Sequence, residues 1–195
     1  MKLILASTSS YRESLLRRLG LLFESAAPGV EEAHWKQTIN DPRELAVTLA
    51  REKANAIASH SPDAVVIGAD QVAVIDSEIL DKPGSRAANI EQLKRLSGQT
   101  HQLLTAVCVK QDQTERILLD QTFLRMRDLT PAEIEAYVDL DEPFDCAGGF
   151  KYEAHGVSLF EEVRCTDTTA IQGLPLLTLS KVLRDFGLHF PMSSS

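Results

Sequence analysis

The strongest constraint on this chain is the run Val65-Val66-Ile67-Gly68-Ala69-Asp70-Gln71-Val72, an apolar strand that runs straight into a carboxylate. A strand apolar at every position is a buried one. A helical stripe precedes it. Over 41–60, Asp41 can cap, Pro42 sits in the first turn, and Leu45, Leu49, Ala50, Ala54 and Ile57 share a face. Further strands are predicted at 2–6, 23–26, 64–67, 71–75, 102–110, 116–125 and 156–160, the third and fourth broken by Gly68-Ala69-Asp70. Further helices are predicted at 10–19 (closed by Gly20), 85–96 (ended by Ser97-Gly98), 130–140 (a capping-box pattern at Thr130 and Glu133) and 176–186 (stopped by Gly187). Strands alternating with helices, plus one hairpin, give an α/β fold with a mixed sheet. The 195 residues fit a single domain over 1–190, or one domain with a lobed cleft, with a frayed tail at 191–195.

Charge narrows the function. Lys+Arg number 20 against Asp+Glu 28, a net charge of −8. That argues against a non-specific nucleic-acid binder and against a protein held on anionic membranes. An anionic small substrate stays open, because a few cations in one cleft override the average. Cys108, Cys146 and Cys165 are odd in number and widely spaced, which fits neither a disulfide framework nor a zinc knuckle. The N-terminal apolar run is too short for a signal peptide, and no segment approaches a membrane span. The expectation is a cytoplasmic protein.

Common catalytic fingerprints are missing: GxxxxGK[ST], GxGxxG after a strand, HExxH and GxSxG. What remains is three features. Ser7-Thr8-Ser9-Ser10-Tyr11-Arg12 is a hydroxyl-rich turn between a strand and a helix N-terminus. Its backbone N–H groups and Arg12 suit an anion, although such a turn also serves as a plain cap. Asp70 follows a buried strand, at the carboxyl end where open α/β sheets place ligands, or it simply caps a turn. Lys53, Lys82 and Lys151 have small or apolar neighbours, and each can equally be a solvated surface charge.

Together these residues resemble the Maf family of nucleoside triphosphate pyrophosphatases, whose fold is like that of the inosine triphosphatases. The resemblance rests on LILASTSSYRESLL at 3–16, GVEE at 29–32, EKA at 52–54, GADQV at 68–72, LDKP at 80–83, CAGGFKYEAHG at 146–156 and IQGLP at 171–175. It implies an elongated mixed sheet with helices in two lobes around a central cleft. It also implies hydrolysis between the α- and β-phosphates of a nucleoside triphosphate, with a divalent cation, Mg²⁺ or Mn²⁺, as cofactor. By the same resemblance Asp70 is the catalytic acid that takes a proton from the attacking water. Glu32 joins Asp70 in holding the metal, and Ser7, Arg12, Lys53, Lys82 and Lys151 contact phosphate. A homodimer is the implied assembly.

The family divides at three base-contacting positions, which are Tyr11, Gln71 and Glu153 in this sequence. The branch acting on dTTP and UTP typically has Arg, Thr and Gln there. The set found here resembles the branch acting on 7-methyl-GTP, where the first position is aromatic, often Trp, and the last is Glu. The chemistry agrees. N7-methylation gives guanine a delocalised positive charge, on which an aromatic face stacks well. A carboxylate accepts two parallel hydrogen bonds from N1–H and the exocyclic amine. The alternatives are a pyrophosphatase for dTTP, UTP or another modified nucleotide, and a nucleotide-binding regulator of cell division.

Overall fold

The structure is a computed structural model, and it describes residues 1–190; the tail expected at 191–195 lies outside the described residues. In chain order the elements are β1 (Leu3–Ala6), α1 (Ser10–Arg17), β2 (Glu24–Ser25), α2 (Glu32–Thr38), α3 (Pro42–Ala58), β3 (Val65–Ile75), β4 (Glu78–Leu80), α4 (Arg86–Leu96), β5 (Thr100–Gln111), β6 (Thr114–Met126), α5 (Pro131–Asp141), β7 (Phe160–Arg164) and α6 (Leu176–Asp185). Hydrogen bonding orders the strands β2-β1-β3-β5-β6-β7, with β4 paired to β3. Contacts divide the chain into two compact units. Unit 1 takes Met1–Asp70, Thr105–Asp120 and the chain from Asp167 onward; unit 2 takes Gln71–Leu104 and Gln121–Thr166.

In unit 1, β1 pairs in parallel with β2 and with β3, in a register that sets Leu3 against Val65 and Ala6 against Gly68. Leu3, Leu5, Val65, Ile67 and Ala69 share one face of these strands. They pack with Leu15 and Leu16 of α1 and with Leu176, Leu179 and Leu183 of α6. On the opposite parity Gly68 meets α3. A Cβ added there would lie 2.2 Å from the Ala50 carbonyl oxygen and 2.5 Å from the Ala54 nitrogen. The predicted break at Gly68-Ala69-Asp70 is therefore corrected: β3 is one strand of 11 residues. Its glycine serves a close helix approach rather than a turn. Asp70 consequently stands inside the strand, not at its carboxyl end. It is still past the end of β1, which stops opposite Gly68.

In unit 2, β4 turns back antiparallel on β3 through Asp76 and Ser77, both left-handed at φ 48° and 69°. That geometry fits a tight hairpin turn. Helix α4 is capped by the Ser85 side chain, and α5 starts with the predicted capping box between Thr130 and Glu133. The strand expected at 156–160 is displaced. His155–Leu159 forms a 3-10 turn and β7 begins at Phe160. The reason is local: the backbone N–H groups of Ala154 and Gly156 both donate to the Lys151 carbonyl, which folds the segment back on itself. No helix among the described residues is long and apolar enough to cross a membrane.

Candidate active site

Four of the predicted residues converge in unit 1, and the fold explains why. Gly68 and Asp70 point to the same side of β3 because strand side chains alternate. Ala50 and Ala54 of α3 lie against Gly68, and Lys53 shares their helical face, so Lys53 reaches Asp70. Its Nζ donates to Asp70 Oδ1 at 2.7 Å. The same Nζ lies 2.6 Å from Glu32 Oε1. Glu32 is the first residue of α2, a seven-residue helix that buries no side chain and shows no apolar periodicity in the sequence. Lys53 and Asp70 are both buried, and Glu32 is half-buried.

Arg12 completes the cluster. It sits in the first turn of α1, whose N-cap Ser9 accepts from the Arg12 backbone N–H. Its Nε donates to the Gly173 carbonyl at 3.0 Å. Burial lowers the pKa of the guanidinium, while Asp70 and Glu32 raise it; an arginine remains a cation under such opposing effects. Burial likewise pushes the Asp70 carboxyl above its ordinary value, with Lys53 and Arg12 pulling it back. Ser7 is buried directly after β1, and its hydroxyl accepts from the Ser9 N–H at 3.1 Å. Tyr11, half-buried, is the neighbour of Arg12 on α1.

A divalent cation fits this donor set. Glu32 and Asp70 offer hard carboxylate oxygens, and they already converge on one positive charge, the Lys53 ammonium. Among the described residues no group of three or more His, Cys, Asp or Glu side chains could cage a metal.

The remaining predicted residues belong to unit 2. Lys82 is exposed in the connection between β4 and α4. Lys151 is half-buried. Its Nζ donates to the Asp141 carbonyl at 2.7 Å, and its backbone N–H donates to the Tyr137 hydroxyl at 2.9 Å. Glu153 is exposed, and Gln71, half-buried, lies in β3 next to Asp70. Sequence reasoning missed two groups that hold predicted residues, one bonded to Arg12 and one to Lys151. One is the Gly173 carbonyl, inside a block that carried no role. The other is Asp141, whose carboxylate takes the His155 backbone N–H at 3.2 Å and His155 Nδ1 at 2.6 Å. Neither had a local signal, since both contacts join distant segments.

Cations facing an acid pair, one of them buried, beside the end of a parallel strand, define the class as an α/β protein built to handle anions. The family is then plain: a model described as Maf-like protein matches residues 2–186, and the chain belongs to that family. A protein of Xanthomonas oryzae pv. oryzae named 7-methyl-GTP pyrophosphatase is 48% identical over 97% of this chain and 99% of its own. Proteins of the same name from Aromatoleum aromaticum and Bdellovibrio bacteriovorus are 46% and 43% identical, each over 98% of its own length and 97% and 96% of this chain. Among solved structures, a nucleoside-triphosphatase / dITP/XTP pyrophosphatase from Mycobacterium abscessus aligns with 98% of this chain and 100% of its own, at 15% identity and a TM-score of 0.46.

Proposed function

We propose that the chain is a hydrolase that cuts 7-methyl-GTP between its α- and β-phosphates, releasing 7-methyl-GMP and diphosphate. The observation that carries this reading is the buried Lys53 ammonium bonded to both Asp70 and Glu32, with the Arg12 charge acting on the same two acids. The shared name of close, full-length relatives supports the substrate.

In this reading Asp70 takes the proton of the water that attacks the α-phosphorus. Its burial lifts its basicity toward what a general base needs. Arg12, Lys53, Lys82 and Lys151 neutralise a triphosphate that carries about four negative charges, and Ser7 contacts its oxygens. Phosphoryl transfer depends mainly on such positioning and charge compensation. Glu32 and Asp70 would hold Mg²⁺ or Mn²⁺, which supplies further charge neutralisation when bound. Tyr11 stacks on the cationic base, Glu153 accepts from N1–H and the exocyclic amine, and Gln71 contacts the base. The protein acts in the cytoplasm, as a homodimer.

A panel of 7-methyl-GTP, GTP, UTP and dTTP, with diphosphate and nucleotide products resolved by chromatography, tests this. The expected result is fastest turnover of 7-methyl-GTP with equimolar diphosphate. Faster turnover of UTP would refute the specificity, and release of single phosphates would refute the bond cut. EDTA should abolish turnover and Mg²⁺ or Mn²⁺ should restore it; activity that persists in chelator removes the metal.

A further inference from the structure

Among the described residues, the Arg12 guanidinium donates through one of its nitrogens. Its Nε–H is used on the Gly173 carbonyl, 161 positions away in sequence. That bond fixes the plane of the guanidinium and leaves the two terminal nitrogens as a fork of donors, the geometry that suits a phosphate. The carbonyl therefore has to be held in place, and hydrogen bonds surround its segment. Asp167, 4% exposed, has no ion-pair partner among the described residues; its carboxylate accepts from neutral donors. Its Oδ1 accepts from the Thr169 backbone N–H at 2.9 Å and from Thr169 Oγ1 at 2.6 Å. Its Oδ2 accepts from the Leu177 N–H at 2.7 Å, and Thr169 Oγ1 accepts from the Leu176 N–H at 2.8 Å. One carboxylate thus ties the start of this segment to the first turn of α6. In between, Thr105 Oγ1 donates to the Ala170 carbonyl at 2.9 Å, and the Gly173 N–H returns to that same oxygen. Gly173 itself is left-handed at φ 97°, and a Cβ there would lie 3.2 Å from Arg12 Nε.

We infer that the segment from Asp167 to Gly173 is the positioning element for Arg12, with Asp167 as the residue that sets the Gly173 carbonyl in place. The inference rests on the reading of Arg12 as a phosphate-binding residue. It gives the IQGLP block a role: its glycine orients a cation rather than only turning the chain.

Two measurements test it separately from that reading. The first needs no turnover. In ¹⁵N-labelled protein the Arg12 Nε–H resonance should be sharp and slow to exchange with water, and Asp167→Asn should make it exchange. An Arg12 resonance that exchanges freely in the wild type, or one unaffected by Asp167→Asn, overturns the inference. The second is a double-mutant cycle with 7-methyl-GTP. Gly173→Ala should raise KM about 10- to 100-fold, the scale of a misplaced positioning group, with kcat changed less. In an Arg12→Ala background the same substitution should change KM less than about twofold, since there is nothing left to orient. Equal losses in both backgrounds would mark Gly173 as structural only. If Gly173→Ala does not fold, Thr105→Val replaces it, with rescue of KM by Thr105→Ser expected and a failure to rescue counting against the inference. A protected resonance in a protein that turns over no triphosphate sinks the proposed function while leaving the positioning element standing.

Discussion

At the residue scale the site turns on one ammonium shared by two carboxylates. Lys53 pairs with Asp70 and Glu32 together, so the buried Asp70 is not left as a lone charge. Asp70→Asn keeps the size and one acceptor oxygen but removes the proposed base. It should lower kcat at least about 100-fold while leaving nucleotide binding in place. Steady-state kinetics beside calorimetric titration would check this, and an unchanged kcat would move the base elsewhere. Glu153→Gln tests the proposed base recognition. If Glu153 accepts from the guanine donors as proposed, replacing one acceptor by a donor should shrink the preference for 7-methyl-GTP over UTP about tenfold, roughly 1.4 kcal/mol. An unaltered ratio of kcat/KM values for the two nucleotides would remove Glu153 from base recognition.

At the scale of elements, what the sequence revealed and what it hid follow from how local each cause is. Helices α3, α4 and α5 were legible because Asp41, Ser85 and Thr130 cap them within three residues. Helix α2 was not, because it buries nothing and so carries no apolar stripe. The turn into β4 escaped because Asp76-Ser77 takes left-handed backbone without the Asn-Gly or Asp-Gly signal. The apparent break in β3 came from reading Gly68 as a turn residue, when the backbone of α3 requires it. Gly68→Ala should accordingly cost about 1–3 kcal/mol, because backbone atoms at 2.2 Å cannot rotate away. A lowered urea midpoint at constant slope would show it. A variant as stable as the parent would mean that α3 can shift freely over the strand. The acid–lysine cluster was reached through family likeness rather than spacing, since the shared face of Lys53 and Asp70 depends on that glycine contact.

At the scale of the molecule, pH dependence has an identifiable source in unit 2. His101 is fully buried at the start of β5, with the rings of Phe150 and Phe160 at 5.6 and 5.8 Å. Neither ring nitrogen has a hydrogen-bond partner among the described residues, and burial pushes its pKa down from 6.5 to about 4. Unfolded chains therefore bind a proton at this histidine below pH 6.5 that the folded protein refuses until about pH 4. Stability should fall through that window by about 3 kcal/mol, and His101→Phe should flatten the fall. Denaturant melts of both proteins from pH 7 to pH 4 would show this as diverging curves, and parallel curves would clear His101 of the effect.

Unit 1 is assembled from three separated stretches of chain, and the last of them supplies both Gly173 and the leucines of α6 that cover Leu3 and Leu5. A nascent chain that ends before Gly173 lacks both the carbonyl that holds Arg12 and the leucines that cover one flank of the core. A premature stop codon before Gly173 should therefore yield a product whose Arg12 is untethered and whose apolar flank is bare.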